Sequence, residues 1–135
     1  MRILLDTNIV LDVLAHRESF FEKSNGVMQL VAEGKIEGAI TANSITDIYY
    51  ISRKHLDREA IKIALRGLME LLYVTDVTAV ECLNALDLPM SDYEDAVLAC
   101  CARHWKADRI VTRNIKDFSD SPIPAVLPGA LLANE

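Results

Sequence analysis

Apolar residues in this chain fall into short runs separated by longer, periodically spaced sets. Ile3-Leu4-Leu5 is a compact run that stops abruptly at Asp6-Thr7-Asn8. A run of that length reads as a strand buried in a parallel sheet. Similar signals predict strands at residues 2–5, 37–41, 72–74 and 109–112, with a fifth candidate at 125–127. Helical patterns lie between them, at 8–14, 19–33, 58–71, 79–86 and 91–107, and a further one opens at Asn43 or Ser44 and runs to Arg53. Phe20, Val27, Leu30 and Val31 give the second helix its apolar stripe, and Gly34 ends it. Asp57 caps the helix from Arg58. Strands alternating with helices mean βαβ units, a parallel sheet and right-handed crossovers, hence an α/β fold.

In such open sheets, ligands bind outside the carboxyl ends of the strands. Asp6 ends the first strand and is therefore placed at that edge. Asp47 lies in the first turns of the helix after the second strand. Asp92 and Asp95 open the helix at Ser91, and Asp117 follows the fourth strand. Each has a bland alternative, because acids in a first helical turn suit the helix dipole. Ser91 and Glu94 match a capping box, so Glu94 is assigned to structure. Asp92 and Asp95 are one turn apart. The small residues after Asp95 place it toward the packed side, where an unpaired carboxylate is costly. Asp92 is farther out. Acids at three separate edges of one sheet face are harder to dismiss jointly than singly.

Clustered carboxylates repel, so some stay protonated at neutral pH unless a cation joins them. Hard divalent ions such as Mg²⁺ or Mn²⁺ take oxygen ligands, lower the pKa of a bound water and stabilise charge on a phosphate under attack. No His, Cys or Ser arrangement competes for the nucleophile role, so the reading is a metal-activated water.

Composition adjusts this picture in three places. At 135 residues, 51% apolar and 25% charged, the chain is expected to form a single globular domain, 1–135. Asp6 and Asp12 interrupt the only stretch that could serve as a signal-peptide core, and no apolar run spans a bilayer. Cys82, Cys100 and Cys101 form no CxxC pair and are read as reduced core thiols, so a cytoplasmic location is expected. The net charge of −6 disfavours non-specific nucleic-acid binding, although two divalent ions would bring it to −2. No GxxxxGK[ST] phosphate loop occurs.

Four segments together resemble the PIN domain family: Leu4-Leu5-Asp6-Thr7-Asn8, Thr46-Asp47-Ile48-Tyr49-Tyr50, Ser91-Asp92-Tyr93-Glu94-Asp95-Ala96, and Thr112-Arg113-Asn114-Ile115-Lys116-Asp117-Phe118. Each motif is weak alone, but order, spacing and total length agree over nearly the whole chain. The resemblance implies a three-layer α/β/α sandwich around a parallel sheet of four to five strands. It implies a Mg²⁺- or Mn²⁺-dependent ribonuclease site built from three or four acids. Many small members are VapC-type toxins that pair with an antitoxin protein. By position, Asp6 matches the first acid and Asp95 the third. Asp47 stands where the family more often has Glu, which puts its carboxylate about one methylene farther from a metal. The fourth position falls between Asn114 and Asp117, and Asp117 is favoured, with Asn114 and Thr112 as polar supports. Asp92 is an extra candidate ligand. Thr7 and Asn8 would orient Asp6 or a water by hydrogen bonds.

Arg113 and Lys116 lie nearest these acids and are the candidates for holding RNA. Arg58, Lys62 and Arg66 form a basic stripe that reads first as a solvated helix face. Tyr49, Tyr50 and Tyr93 are weaker candidates for base stacking, and Trp105 is expected to pack. The expectation is thus a metal-dependent endoribonuclease, with RNA as substrate, an antitoxin partner and a homodimer. The alternative is a PIN-like module that binds RNA or protein without cutting.

Overall fold

The structure, a computed structural model, describes residues 1–134. Its centre is a parallel sheet of β1 (Arg2–Leu5), β2 (Glu37–Thr41), β3 (Tyr73–Thr75), β4 (Arg109–Val111) and β5 (Ala125–Val126), ordered β3-β2-β1-β4-β5. Around it lie α1 (Thr7–Leu14), α2 (Glu18–Ala32), α3 (Ala42–Ser52), α4 (Arg58–Leu71), α5 (Ala79–Ala85), α6 (Tyr93–Trp105), a 3₁₀ turn (Ile115–Phe118) and α7 (Pro128–Ala133). Among the described residues no helix is long and apolar enough to cross a membrane.

The period-two alternation of β1 divides the core into two layers. Ile3 and Leu5 join Ile40 and Val111 on one face, against apolar residues of α1, α2, α3, α4 and α7. Leu4 joins Ala39 and Ile110 on the other, against α5, α6 and Phe118. In α6 every residue from Ala96 to Ala102 is buried, because the sheet covers one side and α5 another. Its small side chains let both neighbours approach closely. Gly38 is required for the same reason: a Cβ there would stand 2.8 Å from Val31 Cγ2 and 2.9 Å from Leu72 Cδ2.

Right-handed crossovers then dictate where the layers go. From β1 the chain steps outward to β2 and β3 with α1–α4 on one face. It returns past β2 and β1 to β4, with α5 and α6 on the other. The winding reverses between β1 and β4, and that switch point opens a crevice at their carboxyl ends.

Several boundaries differ from the sequence reading. β3 is Tyr73–Thr75, one residue later than expected. α3 starts at Ala42 with Thr41 as N-cap; Ser44, expected as a cap, is instead buried and shares a 2.8 Å hydrogen bond with Thr41. The capping box expected at Ser91 and Glu94 is absent. Asp92 is the N-cap of α6, its Oδ1 accepting from Asp95 N at 2.9 Å. The box that does form is Thr78 with Glu81, at the start of α5. α6 also ends earlier than expected, at Trp105, because Lys106 turns left-handed with φ 63°. α7 had no counterpart in the sequence reading; Pro128 starts it, at a position where a missing N–H costs nothing.

Candidate active site

Asp6 sits at the crevice because it is both the end of β1 and the N-cap of α1. Its backbone N–H donates to Val111 O at 2.9 Å, which ties it to β4. Its carboxylate is held from three sides. Oδ1 accepts from Thr7 N at 2.8 Å; Oδ2 accepts from Thr112 Oγ1 at 2.8 Å and from Asn8 Nδ2 at 3.3 Å. Thr112 is fully buried, and its hydroxyl also accepts from Asn114 N at 3.0 Å. The Thr7 hydroxyl turns the other way, donating to Ser44 Oγ at 2.9 Å, and so anchors the start of α3, one turn before Asp47. Burial pushes the Asp6 carboxyl above its ordinary pKa, against the lowering effect of the Thr112 and Thr7 hydrogen bonds and of Arg113; Asp117 adds to the rise.

Asp95 faces the same space from the first turn of α6. Burial, then the charges of Asp92, Asp6, Asp117 and Glu94, push its carboxyl up to about 7. Glu94 is likewise raised, first by burial and next by a hydrogen bond to Asp47. Its assignment to a capping box is therefore corrected. With Asp92 as cap, Glu94 falls in the first turn of α6, exposed and within electrostatic reach of Asp47. Asp117 lies in the 3₁₀ turn and acts on both Asp6 and Asp95. Six carboxylates thus share one edge: Asp6, Asp47, Asp92, Glu94, Asp95 and Asp117.

Arg113 leads away from this edge. Its Nε donates to Asp12 Oδ2 at 2.8 Å and its Nη2 to Asp12 Oδ1 at 3.1 Å. The partner carboxylate is fully buried and is also held by Ser24 Oγ at 3.0 Å and by Arg17 at 3.4 Å. Most of the Arg113 donor capacity is thereby committed within the fold. Lys116 is exposed in the 3₁₀ turn. Tyr93 donates to Cys82 O at 2.7 Å, joining α6 to α5, while Tyr50 is exposed under the Arg53 guanidinium. Trp105 packs in parallel with Tyr73 under Arg2. Arg58 and Arg66 are exposed on α4, and Lys62 pairs with Glu59 at 3.8 Å. The three cysteines are free thiols.

The donor set suits a hard cation, being all oxygen and strongly negative. Asn8 Oδ1 supports this: it is buried beside Asp6 without a hydrogen-bond partner. Among the described residues, no three acid, His or Cys side chains already close around a common point. The residues therefore fit a metal that keeps several of its waters, as Mg²⁺ does, rather than a closed protein cage.

A family model described as a PIN domain matches residues 2–116. The chain belongs to the PIN domain family. No curated protein matches it by sequence. Among solved structures, VapBC2 from Rickettsia felis, bound to a DNA fragment from its promoter, is similar at 22% identity, covering 94% of this chain and 98% of that one with a TM-score of 0.70. A toxin–antitoxin complex from Klebsiella pneumoniae is similar at 18% identity, covering 93% and 97%, with a TM-score of 0.70. VapC20 from Mycobacterium tuberculosis, a toxin that cleaves the sarcin–ricin loop, is similar at 14% identity, covering 80% and 86%, with a TM-score of 0.63. These likenesses agree on the parallel sheet and its flanking helices.

In this PIN domain two acids near the candidate site escaped sequence reasoning. Glu94 was hidden by a capping pattern beginning at Ser91, whereas the cap that forms is Asp92, one residue later. Asp12 was read only as a charge interrupting an apolar stretch. A signal for it existed: an acid between Leu11 and Val13, on a helix otherwise apolar, needs a buried cation.

Proposed function

We propose that this PIN domain is a divalent-metal-dependent endoribonuclease and the toxin of a toxin–antitoxin pair. The observation that carries the reading is the convergence of Asp6, Asp95 and Asp117 at the β1–β4 crevice, where the charge of Asp117 raises the Asp6 carboxyl and the charges of Asp6 and Asp117 both raise that of Asp95. These three would hold Mg²⁺ or Mn²⁺, with Asp92 beside them and the Asp47–Glu94 pair behind. When bound, the ion would neutralise the cluster and supply a nucleophilic water for hydrolysis of an RNA phosphodiester. Thr112, Asn8 and the Thr7 N–H keep the Asp6 oxygens aimed into the crevice. Lys116, exposed on the 3₁₀ turn beside Asp117, is placed to meet a phosphate.

The toxin part of the reading is supported by the likeness to the Klebsiella pneumoniae complex and to VapC20. It brings an antitoxin protein as partner and a cytoplasmic setting. A homodimer belongs to the same reading, supported by the exposed apolar residues Val80 and Leu83 on α5 and Leu86 at its C-cap.

The test is cleavage of structured and unstructured RNA with Mg²⁺ or Mn²⁺, by wild type and by the double variant Asp6→Asn, Asp95→Asn. Cleavage by wild type alone is expected. Equal cleavage by both would attribute the activity to a contaminant and overturn the reading.

A further inference from the structure

Next to the acids, the protein has a second concavity that the proposed chemistry does not use. It lies between α2 and α7, with a volume of about 480 Å³, and is lined by Phe20, Lys23, Arg113, Leu127, Pro128 and Gly129 among others. Arg113 connects it to the crevice, since it follows Thr112, whose hydroxyl binds Asp6.

Three features describe what this hollow accepts. First, Phe20 is 42% exposed although it stands in a helix, and Leu127 is 41% exposed at the opposite wall. The Arg113 guanidinium lies over the Phe20 ring at 3.9 Å, and Arg113 is itself clamped by Asp12, so the ring is held in a fixed orientation. Second, no lining residue is acidic. Arg17 and Arg113 both pair with the buried carboxylate of Asp12, and Lys23 adds an unpaired cation to the lining in a chain whose total charge is −6. Third, the Lys23 stem crosses Gly129, where an added Cβ would meet Lys23 Cδ at 3.1 Å and Nζ at 3.3 Å, so the ammonium sits on the wall of the hollow.

We infer that this hollow binds a nucleotide of single-stranded RNA flanking the one held at the acids, its base against Phe20 and its phosphate at Lys23. An oriented aromatic face with adjacent cations is the combination that recognises unpaired bases on a charged backbone. An apolar peptide would use the Phe20 and Leu127 walls but would leave the positive charge unmatched. The inference rests on the nuclease reading for its choice of RNA, and the following experiment separates the two.

Binding of a fluorescein-labelled oligouridylate octamer is followed by anisotropy in EDTA, where cleavage cannot proceed. Phe20→Ala should weaken binding about tenfold, the lower part of the range for base–aromatic stacking. Phe20→Trp should restore it. Lys23→Glu, a change at an exposed side chain that spares the core, should weaken binding and reduce its salt dependence by about one phosphate contact. With Mg²⁺ added, both weakened variants should raise KM and leave kcat unchanged. Unchanged binding in folded Phe20→Ala and Lys23→Glu, with cleavage intact, would overturn the subsite alone. Weakened binding in a protein whose wild type cuts no RNA would overturn the nuclease reading alone. Loss of affinity for a purified protein partner with RNA binding intact would mark the hollow as a protein-docking surface and overturn the proposal.

Discussion

Arg113 and Asp12 meet as a two-pronged ion pair, Nε to Oδ2 at 2.8 Å and Nη2 to Oδ1 at 3.1 Å, with the carboxylate fully buried. The pair fastens the segment after β4 to α1, the two elements that carry Thr112 and Asp6. Removing one partner of a buried pair leaves the other charge uncompensated. Asp12→Ala should therefore destabilise the protein by about 3 kcal/mol, read as a lower urea midpoint at unchanged m-value. An unshifted midpoint would show that the pair contributes nothing.

Thr112 bridges the strand ends by donating to Asp6 Oδ2 and accepting from Asn114 N. Thr112→Val keeps the shape and deletes the hydroxyl. Metal affinity or cleavage should fall roughly 10- to 100-fold, the usual effect of losing a group that orients a ligand. Thr112→Ser should keep most of both. Mn²⁺ titration calorimetry and initial cleavage rates would check this; an unaffected Val variant would mean that Thr7 and Asn8 suffice to hold Asp6.

The Asp95 carboxyl, pushed up to about 7 by burial and by neighbouring acids, gives a signed pH dependence. A folded pKa above the ordinary 3.8 means that the folded state holds more protons between those values. The contribution is fully present below pH 3.8 and is lost as pH rises through about 7. Without divalent ions, wild-type Tm should thus fall between pH 5.5 and 7.5 more than that of Asp95→Asn, and Asp95→Asn should be the more stable at pH 7.5. Mg²⁺ should raise the wild-type Tm more at pH 7.5 than at pH 5.5. Parallel Tm profiles for the two proteins would contradict this account.

Gly38→Ala tests the close approach between β2 and α2. Its Cβ would collide with Val31 and Leu72, both buried and neither the free end of a flexible chain. Overpacking of this kind should cost about 1–3 kcal/mol, measured by denaturant unfolding. The site is at the other end of β2 from the crevice, so activity per folded molecule should be unchanged.

The sequence alone was sufficient for the strands, their parallel alignment and the sheet edge at which the acids gather. Buried parallel strands are short apolar runs, and Ile3-Leu4-Leu5 or Ala39-Ile40 can hardly be anything else. Asp6, Asp47, Asp92, Asp95 and Asp117 were all legible at strand ends and helix starts for the same reason. Tertiary structure decided which way side chains turn and what they meet. Glu94 was misplaced because a capping pattern shifted by one residue rotates its helix position by about 100°, and only the folded chain brings the charge of Asp47 near it. Asp12 and Arg113 are 101 residues apart, so no local pattern pairs them. Local periodicity specifies elements because it depends on each segment's own solvent-facing and buried sides. Partnership across the β1–β4 crevice depends on the crossover geometry of the whole sheet, which only the folded chain expresses.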